Sequence, residues 1–317
     1  MIDLSQKEVC VTGGRGFLGQ RIVDILYDKG CKYVVAPSSE RFDFRKLEDV
    51  KDMLGNYDIE VLIHVAGHAG GIGLNREKPA ELFYDNAIMG IQLMHWAQYD
   101  GVEKFVQIGT ICEYPKYTTV PFQEEELWDG FPESTNSAYG IAKKALLTMG
   151  QAYRQQYGFN VIHLLPVNLY GPGDNFEEGS SHVIPALIRK FHKANQENLP
   201  NVTIWGSGKA SREFLYVDDA AEAIVRATES YDEPEPINIG AGFEIKISSL
   251  VELISQKMGY RGDIVFDETM PDGQPRRCLD VSKAKEKFGW EAQTKFEDGL
   301  DKTIKYYLTS QEKGDSL

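Results

Sequence analysis

The segment KEVCVTGGRGFLGQ, residues 7–20, carries the strongest indication of how the chain folds. Residues 7–12 predict a short buried strand, and residues 20–29 follow a helical pattern. The glycines between them permit a tight turn and let a pyrophosphate approach a helix N-terminus closely. Their spacing is GxxGxxG, whereas the usual dinucleotide-binding turn reads GxGxxG. Strand, glycine turn and helix together predict a cofactor site formed by Gly13, Gly14, Arg15, Gly16, Phe17, Leu18 and Gly19.

Strands and helices alternate along the first half of the chain. After the glycine turn, buried strands are predicted at residues 33–36, 60–65, 105–108 and 161–166. A long helix is predicted at 81–99. This alternation indicates a parallel, doubly wound α/β sheet, in which functional residues gather at the carboxyl ends of strands. The small residues Ala66 and Gly67 lie at such an end and let the backbone lie against a cofactor.

The chain is expected to leave this sheet after residue 168 and to return to it. Residues 213–217 and a helix at 218–228 look like that return. A glycine-rich loop at 70–73 is expected to be flexible, and the tail at 311–317 is expected to be frayed. We predict a larger domain of residues 1–168 plus 212–240, and a smaller, discontinuous α/β domain of residues 169–211 plus 241–317.

The composition narrows the functional classes. The 317 residues include 34 Lys and Arg against 48 Asp and Glu, so the formal net charge is −14. This charge disfavours binding to nucleic acid or an anionic membrane, and an anionic substrate needs a local basic pocket. No apolar run approaches the roughly 20 residues of a membrane span, and no signal region is visible. The four cysteines form no CxxC pair, which favours reduced thiols in a cytoplasmic protein over a disulfide frame or a metal site.

The residues after the second strand bear on the choice of cofactor. A site specific for NAD usually has an acid at the end of this strand. Here residues 36–41 read APSSER, with no Asp at the strand end. The candidates to hold a ribose 2′-phosphate instead are Ser38, Ser39, Arg41 and Arg15, which favours NADP over NAD. The alternative is that both arginines are solvated surface charges; Asp43 and Phe44, further on, are candidates to contact the adenine.

The segment SAYGIAK contains Tyr139 and Lys143, four residues apart. In a helix this spacing puts both side chains on one face. A lysine ammonium beside a phenol favours the phenolate and lowers the tyrosine pKa, so the tyrosine can exchange a proton near neutral pH. Such pairs are also common on surface helices. The glycine turn and the segment GTICEYP, which places Thr110 and Cys112 at a strand end, favour the catalytic interpretation.

Further ordered motifs carry a resemblance to a known family. They are NLYGP at 168–172, DNF at 174–176, SHVIPAL at 181–187, WGSG at 205–208, REFL at 212–215, VDD at 217–219 and PDG at 271–273. With these motifs the chain resembles the extended short-chain dehydrogenase/reductases along essentially its whole length. Within that family it is most similar to the enzymes that epimerise and reduce GDP-4-keto-6-deoxy-mannose. The resemblance implies a Rossmann-type sheet that binds NADP, with NAD possible, and a smaller domain that binds a nucleotide sugar.

The resemblance also implies roles for individual residues. Tyr139 is expected to donate a proton at C4, Lys143 to hold the nicotinamide ribose, and Thr110 to hydrogen-bond the substrate oxygen. Cys112 and His182 stand where the family has its acid/base pair for epimerisation. Further cofactor contacts are implied for Asn86, Ile108, Gly109, Pro166, Asn168 and Leu169. Substrate contacts are implied for Asn168, His182, Val183, Lys190, Trp205, Arg212 and Asp272.

Two departures from the family pattern bear on the substrate. Lys190 replaces an arginine and loses the bidentate fork that suits a diphosphate. Glu113 replaces an apolar residue beside Cys112, where an acid is expected either to disfavour the thiolate or to bind a different sugar hydroxyl. The pair Arg276 and Arg277 is interpreted as solvated, with neutralisation of a diphosphate as the alternative.

The residues suit a sugar with a ketone at C4. The ketone acidifies the hydrogens at C3 and C5, so a base on one face and an acid on the other invert either centre; Cys112 and His182 can both titrate near neutrality. Hydride from NADPH then reduces C4 while Tyr139 protonates the oxygen. The resemblance thus implies 3,5-epimerisation and reduction of GDP-4-keto-6-deoxy-D-mannose to GDP-L-fucose, without a metal.

Other outcomes remain open at the level of sequence. The chain is alternatively a redox-neutral, NAD-dependent nucleotide-sugar epimerase, or a C4 reductase of a related GDP-sugar without epimerisation. A non-catalytic cofactor-binding protein of the same fold is disfavoured because Tyr139 and Lys143 are both retained. The family suggests a homodimer that packs the helices at 81–99 and 137–157.

Overall fold

The computed structural model describes residues 1–314. Its strands are β1 Glu8–Thr12, β2 Tyr33–Val35, β3 Val61–His64, β4 Lys104–Ile108, β5 Asn160–Pro166, β6 Asn168–Tyr170, β7 Asn201–Trp205, β8 Ser211–Arg212, β9 Phe214–Tyr216, β10 Ile237–Ile239, β11 Ile245–Lys246 and β12 Asp263–Asp267. Its α-helices are α1 Phe17–Asp28, α2 Leu47–Asn56, α3 Ile72–Glu77, α4 Pro79–Tyr99, α5 Ser137–Tyr157, α6 Val183–Gln196, α7 Val217–Ser230, α8 Ile247–Lys257, α9 Ser282–Phe288 and α10 Phe296–Lys313. Short 3₁₀ helices lie at Leu4–Gln6, Ile111–Glu113 and Glu124–Trp128.

Six parallel strands form the main sheet, in the order β10-β5-β4-β3-β1-β2. Helices cover both faces, so alternate residues of β1 enter different apolar cores: Val9 and Val11 join one, and Cys10 joins the other. α1 packs against α7, and α4 packs against α2 and α5. The strand order reverses beside β1, which is where an open parallel sheet offers a ligand crevice. The predicted doubly wound α/β fold is confirmed.

A third apolar core lies beyond the sheet, among α6, α8 and α10. Three strand pairs border it, β6 with β9, β7 with β12, and β8 with β11. The division of the chain into two domains stays a prediction. Within it, Leu279, Ala284 and Trp290 pack into the core of the main sheet, although the predicted boundary gives them to the smaller domain.

Several predicted elements differ from the structure. α1 begins at Phe17, three residues earlier than expected, because the extended Gly16 already caps it. The expected loop at 70–73 runs into helix α3. β9 pairs with β6 and not with the main sheet, so the chain returns to the larger layer through α7 and then β10. Part of the expected frayed tail is helical, because helix α10 includes residues 311–313. Residues 315–317 lie outside the described residues.

The helices between residues 1 and 314 were searched for membrane spans. None of them combines the length and the apolar character that crossing a bilayer requires.

Candidate active site

One large cleft crosses the carboxyl ends of the main strands and continues into the smaller part of the molecule. It encloses about 1820 Å³. The β1–α1 turn and the loops after β3 and β4 line one end, and α6, the end of β7 and residues 270–274 line the other. All the predicted site residues line it except Gly14, Arg41 and Asn86. Residues from distant parts of the sequence therefore converge on one cleft.

The β1–α1 turn presents bare backbone to the cleft. A Cβ on Gly19 would clash with the carbonyl oxygen of Gly13, so α1 packs directly on the turn. A Cβ on Gly13 would lie 2.9 Å from Ala66, at the point where the strand order reverses. Gly16 caps α1 without a side chain, so no side chain accepts from the first N–H groups of the helix. A pyrophosphate fits such a helix N-terminus.

Asn86 braces the loop after β3 from behind. Its amide oxygen accepts from the His68 N–H at 3.2 Å, and its nitrogen donates to the carbonyl oxygens of His68 and Leu82 at 2.8 and 2.7 Å. A Cβ on Gly67 would lie 3.0 Å from this amide oxygen and 3.5 Å from Lys143 Nζ. The loop therefore also presents backbone to the cleft, and Asn86 holds it without lining the cleft itself.

The residues predicted to hold a 2′-phosphate divide into two groups. Ser38, Ser39 and the exposed Arg15 line the cleft. Arg41 does not, because its guanidinium lies over the ring of Phe42, 4.8 Å from the ring centroid. This end of the cleft thus keeps two hydroxyls and one of the two predicted cations.

Arg45, which the sequence analysis missed, supplies another cation at this end. Its Nε lies 2.8 Å from Asp43 Oδ1, and its Nη1 lies 3.5 Å from Asp85 Oδ2. The hydrogen bond from Arg45 lowers the pKa of Asp43. Asp43 is therefore an ionised, paired carboxylate beside the buried Phe44. Nothing in the sequence pattern distinguishes Arg45 from a surface arginine.

Helix α5 places Tyr139 and Lys143 one turn apart in the middle of the cleft. A Cβ on Gly140 would clash with the carbonyl oxygen of Cys112, so the helix packs tightly on the turn after β4. Lys143 Nζ donates to the carbonyl oxygen of Ile108 at 3.1 Å. Burial lowers the pKa of Lys143 to about 8, so the ammonium form predominates at neutral pH.

The pKa of Tyr139 differs from the expectation drawn from the sequence. Burial raises it, the charges of Cys112 and Glu113 raise it further, and a hydrogen bond with Thr110 lowers it. The expectation that Lys143 brings the tyrosine pKa down to near neutrality was wrong. Tyr139 is therefore a protonated phenol at neutral pH, the form that donates a proton.

Glu113 fixes the turn that carries Thr110 and Cys112. Thr110 Oγ1 accepts from the Cys112 N–H at 3.2 Å, and Glu113 Oε1 accepts from the Thr110 N–H at 2.9 Å. The fully buried carboxylate also lies 3.1 Å from His163 Nε2. Gly109 leaves the room, since a Cβ there would clash with both partners. The hypothesis that Glu113 binds a sugar hydroxyl was wrong, because its side chain does not line the cleft.

Cys112 and His182 reach the cleft from different elements. The half-buried Cys112 lies in the 3₁₀ helix after β4, and the exposed His182 immediately precedes α6. Although the His182 ring is open to the cleft, the protein that surrounds it desolvates the ring and lowers its pKa, which favours the neutral imidazole. A ligand in the cleft thus meets a thiol, an imidazole and the Tyr139 phenol. Among residues 1–314, no group of three or more His, Cys, Asp and Glu side chains could hold a metal ion.

Arg212 ties two segments together at the other end of the cleft. Its Nη1 donates to the carbonyl oxygens of Ser211 and Gln274 at 2.7 and 2.6 Å, and its Nη2 donates to that of Asp272 at 2.8 Å. Burial lowers the pKa of Arg212 to about 9, and the charge of Arg277 contributes. The guanidinium is still cationic at neutral pH and can meet an anionic ligand.

Polar contacts also hold the loop that follows β7. The Asp272 carboxylate accepts from Ser207 N at 2.7 Å and from Ser207 Oγ at 2.6 Å. Trp205 is 57% exposed and faces the cleft. Lys190 Nζ donates to the carbonyl oxygen of Thr203 at 2.9 Å and lies 5.9 Å from the centroid of the Trp205 ring. This end offers a flat aromatic surface and a cation to a ligand.

Arg276 and Arg277, interpreted as a solvated pair, differ sharply. Arg276 is exposed, and its Nε lies 3.0 Å from Glu244 Oε1. Arg277 is buried, lines the cleft and places Nη1 3.6 Å from Cys112 Sγ. The interpretation was therefore wrong for Arg277. No signal in the sequence separates the two arginines, because the contact partner lies 165 positions away.

The class of protein follows from two features, a parallel sheet with a glycine turn and a Tyr139–Lys143 pair beside Thr110. Together they define a short-chain dehydrogenase/reductase of the extended kind. The chain belongs to the NAD dependent epimerase/dehydratase family, whose family model matches residues 9–240.

Individual relatives are similar over nearly the whole chain. A GDP-L-fucose synthase of Sinorhizobium fredii is 41% identical over 310 residues, covering 98% of both chains. Among solved structures, a GDP-6-OMe-4-keto-L-xylo-heptose reductase from C. jejuni is 27% identical with a TM-score of 0.90, covering 96% of this chain and 99% of that one. A GDP-L-fucose synthetase from Naegleria fowleri bound to NADP is 28% identical with a TM-score of 0.85, covering 97% of this chain and 95% of that one.

Proposed function

We propose that this chain is an NADPH-dependent epimerase/reductase that converts GDP-4-keto-6-deoxy-D-mannose to GDP-L-fucose. The observation that carries the proposal is the convergence of Tyr139, Cys112 and His182 on one cleft. The relative from Sinorhizobium fredii, named for GDP-L-fucose synthesis, supports it through 41% identity along 98% of the chain.

The end of the cleft beside β1 fits a dinucleotide. The bare backbone of the β1–α1 turn leaves room for a pyrophosphate, and Ser38, Ser39 and Arg15, which line the cleft, bind the ribose 2′-phosphate. Lys143 holds the nicotinamide ribose. When bound, NADPH supplies the hydride that reduces the ketone. The NADP bound to the relative from Naegleria fowleri supports this choice.

Epimerisation at C3 or C5 needs two groups that move protons. One of Cys112 and His182 takes the hydrogen next to the C4 ketone as a proton, and the bonding electron pair moves onto the carbonyl oxygen as an enolate. The other returns a proton to the opposite face of that carbon. The hydroxyls of Thr110 and Tyr139, which both line the cleft, hydrogen-bond the enolate oxygen and stabilise its charge.

Reduction at C4 needs a proton donor beside the oxygen. Tyr139, whose pKa burial raises, is protonated at neutral pH and donates that proton. Lys143, cationic below pH about 8, stabilises the phenolate that remains. Glu113 takes no part in the proton transfer; it holds the Thr110 turn from behind.

The other end of the cleft suits the nucleotide. Arg212 and Lys190 provide the local positive charge that an anionic diphosphate needs in a protein of net charge −14. Trp205 offers an aromatic face to the base. Asp272 keeps the loop after β7 in place through Ser207.

The proposal extends to organisation and location. Residues 1–168 plus 212–240 form the NADPH-binding domain, from which Arg212 also reaches the GDP-sugar, and residues 169–211 plus 241–317 form the domain that binds the GDP-sugar. The chain forms a homodimer through α4 and α5. The exposed hydrophobic side chains on these helices support that interface and are Phe83, Tyr84, Ile91, Tyr99 and Tyr157. The enzyme works in the cytoplasm, where thiols stay reduced.

A second candidate is a C4 reductase of a related GDP-sugar without epimerisation. The TM-score of 0.90 to a GDP-heptose reductase favours it. A redox-neutral, NAD-dependent epimerase is the third, and it differs by consuming no reduced cofactor.

Turnover with defined products tests the proposal. Purified protein is mixed with GDP-4-keto-6-deoxy-D-mannose and NADPH; loss of reduced nicotinamide is followed by absorbance and the product sugar by NMR. We expect NADPH consumption and an L-fucose product. A D-configured product would establish the plain reductase, and no NADPH loss would contradict both. Tyr139→Phe should lower the rate at least about 100-fold, since it removes the proton donor. Tyr27→Phe, on the exposed face of α1, is the matched control and should leave the rate unchanged.

A further inference from the structure

Arg189, on helix α6, is a further cation of the cleft, and no motif in the sequence distinguishes it. Its side chain is only 23% exposed, and it lines the cleft together with His182 and Lys190 of the same wall. Residues seven apart lie on nearly the same face of a helix, so Arg189 follows His182 about 10 Å further along α6. A ligand that extends from His182 along this helix therefore passes the arginine.

The Arg189 guanidinium has its N–H donors available for a ligand. Its one ion-pair contact within residues 1–314 joins Nη1 to Glu178 Oε2 at 3.3 Å, and in this range we find no hydrogen bond from the guanidinium to a protein group. The other two cations are more occupied. Arg212 donates to three backbone carbonyl oxygens, and Lys190 donates to that of Thr203. Among these cations, Arg189 therefore has the most donors left for an anion.

Arg189 and Lys190 also carry like charges close together. Burial lowers the pKa of Lys190, and the positive charge of Arg189 lowers it further, whereas the negative charge of Glu178 raises it. The two cations thus repel each other in the empty cleft. An anion that reaches both would relieve this repulsion, and a diphosphate carries the charge to do so.

Glu178 is a weak partner for Arg189. Its side chain is 86% exposed, and it lies in the segment that leads from β6 to His182. An ion pair with so exposed a carboxylate contributes little to stability, because water competes for the carboxylate. A ligand that brings two phosphate groups into the cleft can therefore displace Glu178 from the guanidinium.

We propose that Arg189 binds the diphosphate of the nucleotide sugar, and that Glu178 pairs with this arginine only while the cleft is empty; the identity of the ligand rests on the proposed function. Arg189 supplies the planar, bidentate fork that Lys190, a point charge, lacks. When the ligand binds, the guanidinium exchanges the carboxylate for phosphate oxygens, and Glu178 returns to solvent. Loss of Arg189 should therefore weaken binding, whereas loss of the Glu178 charge should strengthen it.

Calorimetric titration of the purified enzyme with GDP tests these opposite signs. Arg189→Met should weaken GDP binding about tenfold, and Arg189→Lys, which keeps the charge without the fork, should weaken it about threefold. Glu178→Gln should strengthen GDP binding about threefold, because the competing carboxylate is gone. In the Arg189→Met background, Glu178→Gln should have no further effect. Since Glu178 is exposed, Glu178→Gln keeps the test valid if Arg189→Met does not fold.

Matched variants separate contact with the ligand from the general effect of charge. Glu177→Gln removes the same charge from the neighbouring residue, which is exposed and does not line the cleft, and should leave GDP affinity unchanged. Lys193→Met removes a cation that lies one turn further along α6 and is 66% exposed, and it should also leave GDP affinity unchanged. Guanosine, which lacks the phosphates, should bind equally well to Arg189→Met and to the native enzyme.

Other results would overturn the proposal. An unchanged or weaker GDP affinity of Glu178→Gln would show that the carboxylate does not compete with the ligand. Equal losses of affinity for GDP and guanosine in Arg189→Met would assign Arg189 to the nucleoside. Unchanged GDP affinity in every variant would overturn this inference alone, whereas a native enzyme that binds no GDP would overturn the substrate assignment of the proposed function as well.

Discussion

The two ends of the cleft are held together in different ways. At the cofactor end, Gly13, Gly19 and Ala66 bring backbone segments so close that a single Cβ would clash or lie 2.9 Å from its neighbour. At the substrate end, Arg212 and Asp272 hold loops from far apart in the chain through side-chain hydrogen bonds. The cofactor end therefore depends on residues without large side chains, which leave room for close backbone contact, whereas the substrate end depends on side chains that make hydrogen bonds. Substitutions should therefore act on stability at one end and on affinity at the other.

The strongest test of this contrast adds one methyl group at the cofactor end. Gly19→Ala should lower the free energy of unfolding by about 3 kcal/mol, the upper part of the range for overpacking, because its Cβ would meet the Gly13 carbonyl oxygen. Gly55→Ala, in helix α2 with no atom within 4 Å of the added Cβ, should raise it by about 0.5–1 kcal/mol. Urea denaturation of both variants measures the difference; equal values would remove the contrast.

A charge-conserving change at the substrate end should leave the fold alone and weaken binding. Arg212→Lys loses the planar fork that reaches three carbonyl oxygens, so KM for the GDP-sugar should rise about tenfold, which corresponds to about 1.4 kcal/mol. Steady-state kinetics and a thermal melt separate the two effects. Arg261→Lys, on an exposed arginine of the same part of the chain, serves as the control. A lower melting temperature at unchanged KM would place Arg212 among the structural residues.

The smallest expected effect is the pH dependence of activity caused by Lys143, which lies between the two ends of the cleft. Since burial lowers the pKa of Lys143 to about 8, the catalytic ammonium is lost as pH rises through that value. The kcat/KM for NADPH should fall about fourfold between pH 7 and pH 8.5, and Lys143→Met should show a low, level profile. Between pH 8 and 10.5, Lys143 is neutral in the folded protein but protonated in the unfolded chain. The free energy of unfolding therefore rises with pH in that range. A kcat/KM of the native enzyme that does not change between pH 7 and pH 8.5 would contradict the catalytic role of the Lys143 ammonium.

The fold and the centre of the site follow from local signals in the sequence. Alternating strands and helices specify a parallel sheet, and parallel strands bring their carboxyl ends to one edge. Tyr139 and Lys143 share a helix face because of their spacing alone. The closest backbone approach in the glycine turn, between Gly19 and Gly13, lies within seven residues of sequence. These features need no knowledge of distant contacts.

Features that depend on distant partners could not be derived in this way. The direction of Glu113 is set by His163, 50 positions away, and by the room that Gly109 leaves. Arg276 and Arg277 are neighbours, yet only the second reaches Cys112 across 165 positions. β9 begins inside the motif REFL, but its partner strand β6 could be identified only in the folded chain. Each of these outcomes depends on packing between segments, which a local pattern does not contain.

Gly109, Glu113 and His163 depend on one another through direct contact. A side chain at 109 would displace both partners, and loss of His163 would leave the buried Glu113 carboxyl group with only the Thr110 N–H as its partner, at a cost of about 1–3 kcal/mol. Loss of Glu113 would leave His163 Nε2 and the Thr110 N–H without their hydrogen-bond partner. Each of these three changes would therefore weaken the support behind the Thr110 turn, so we expect the three residues to be inherited together.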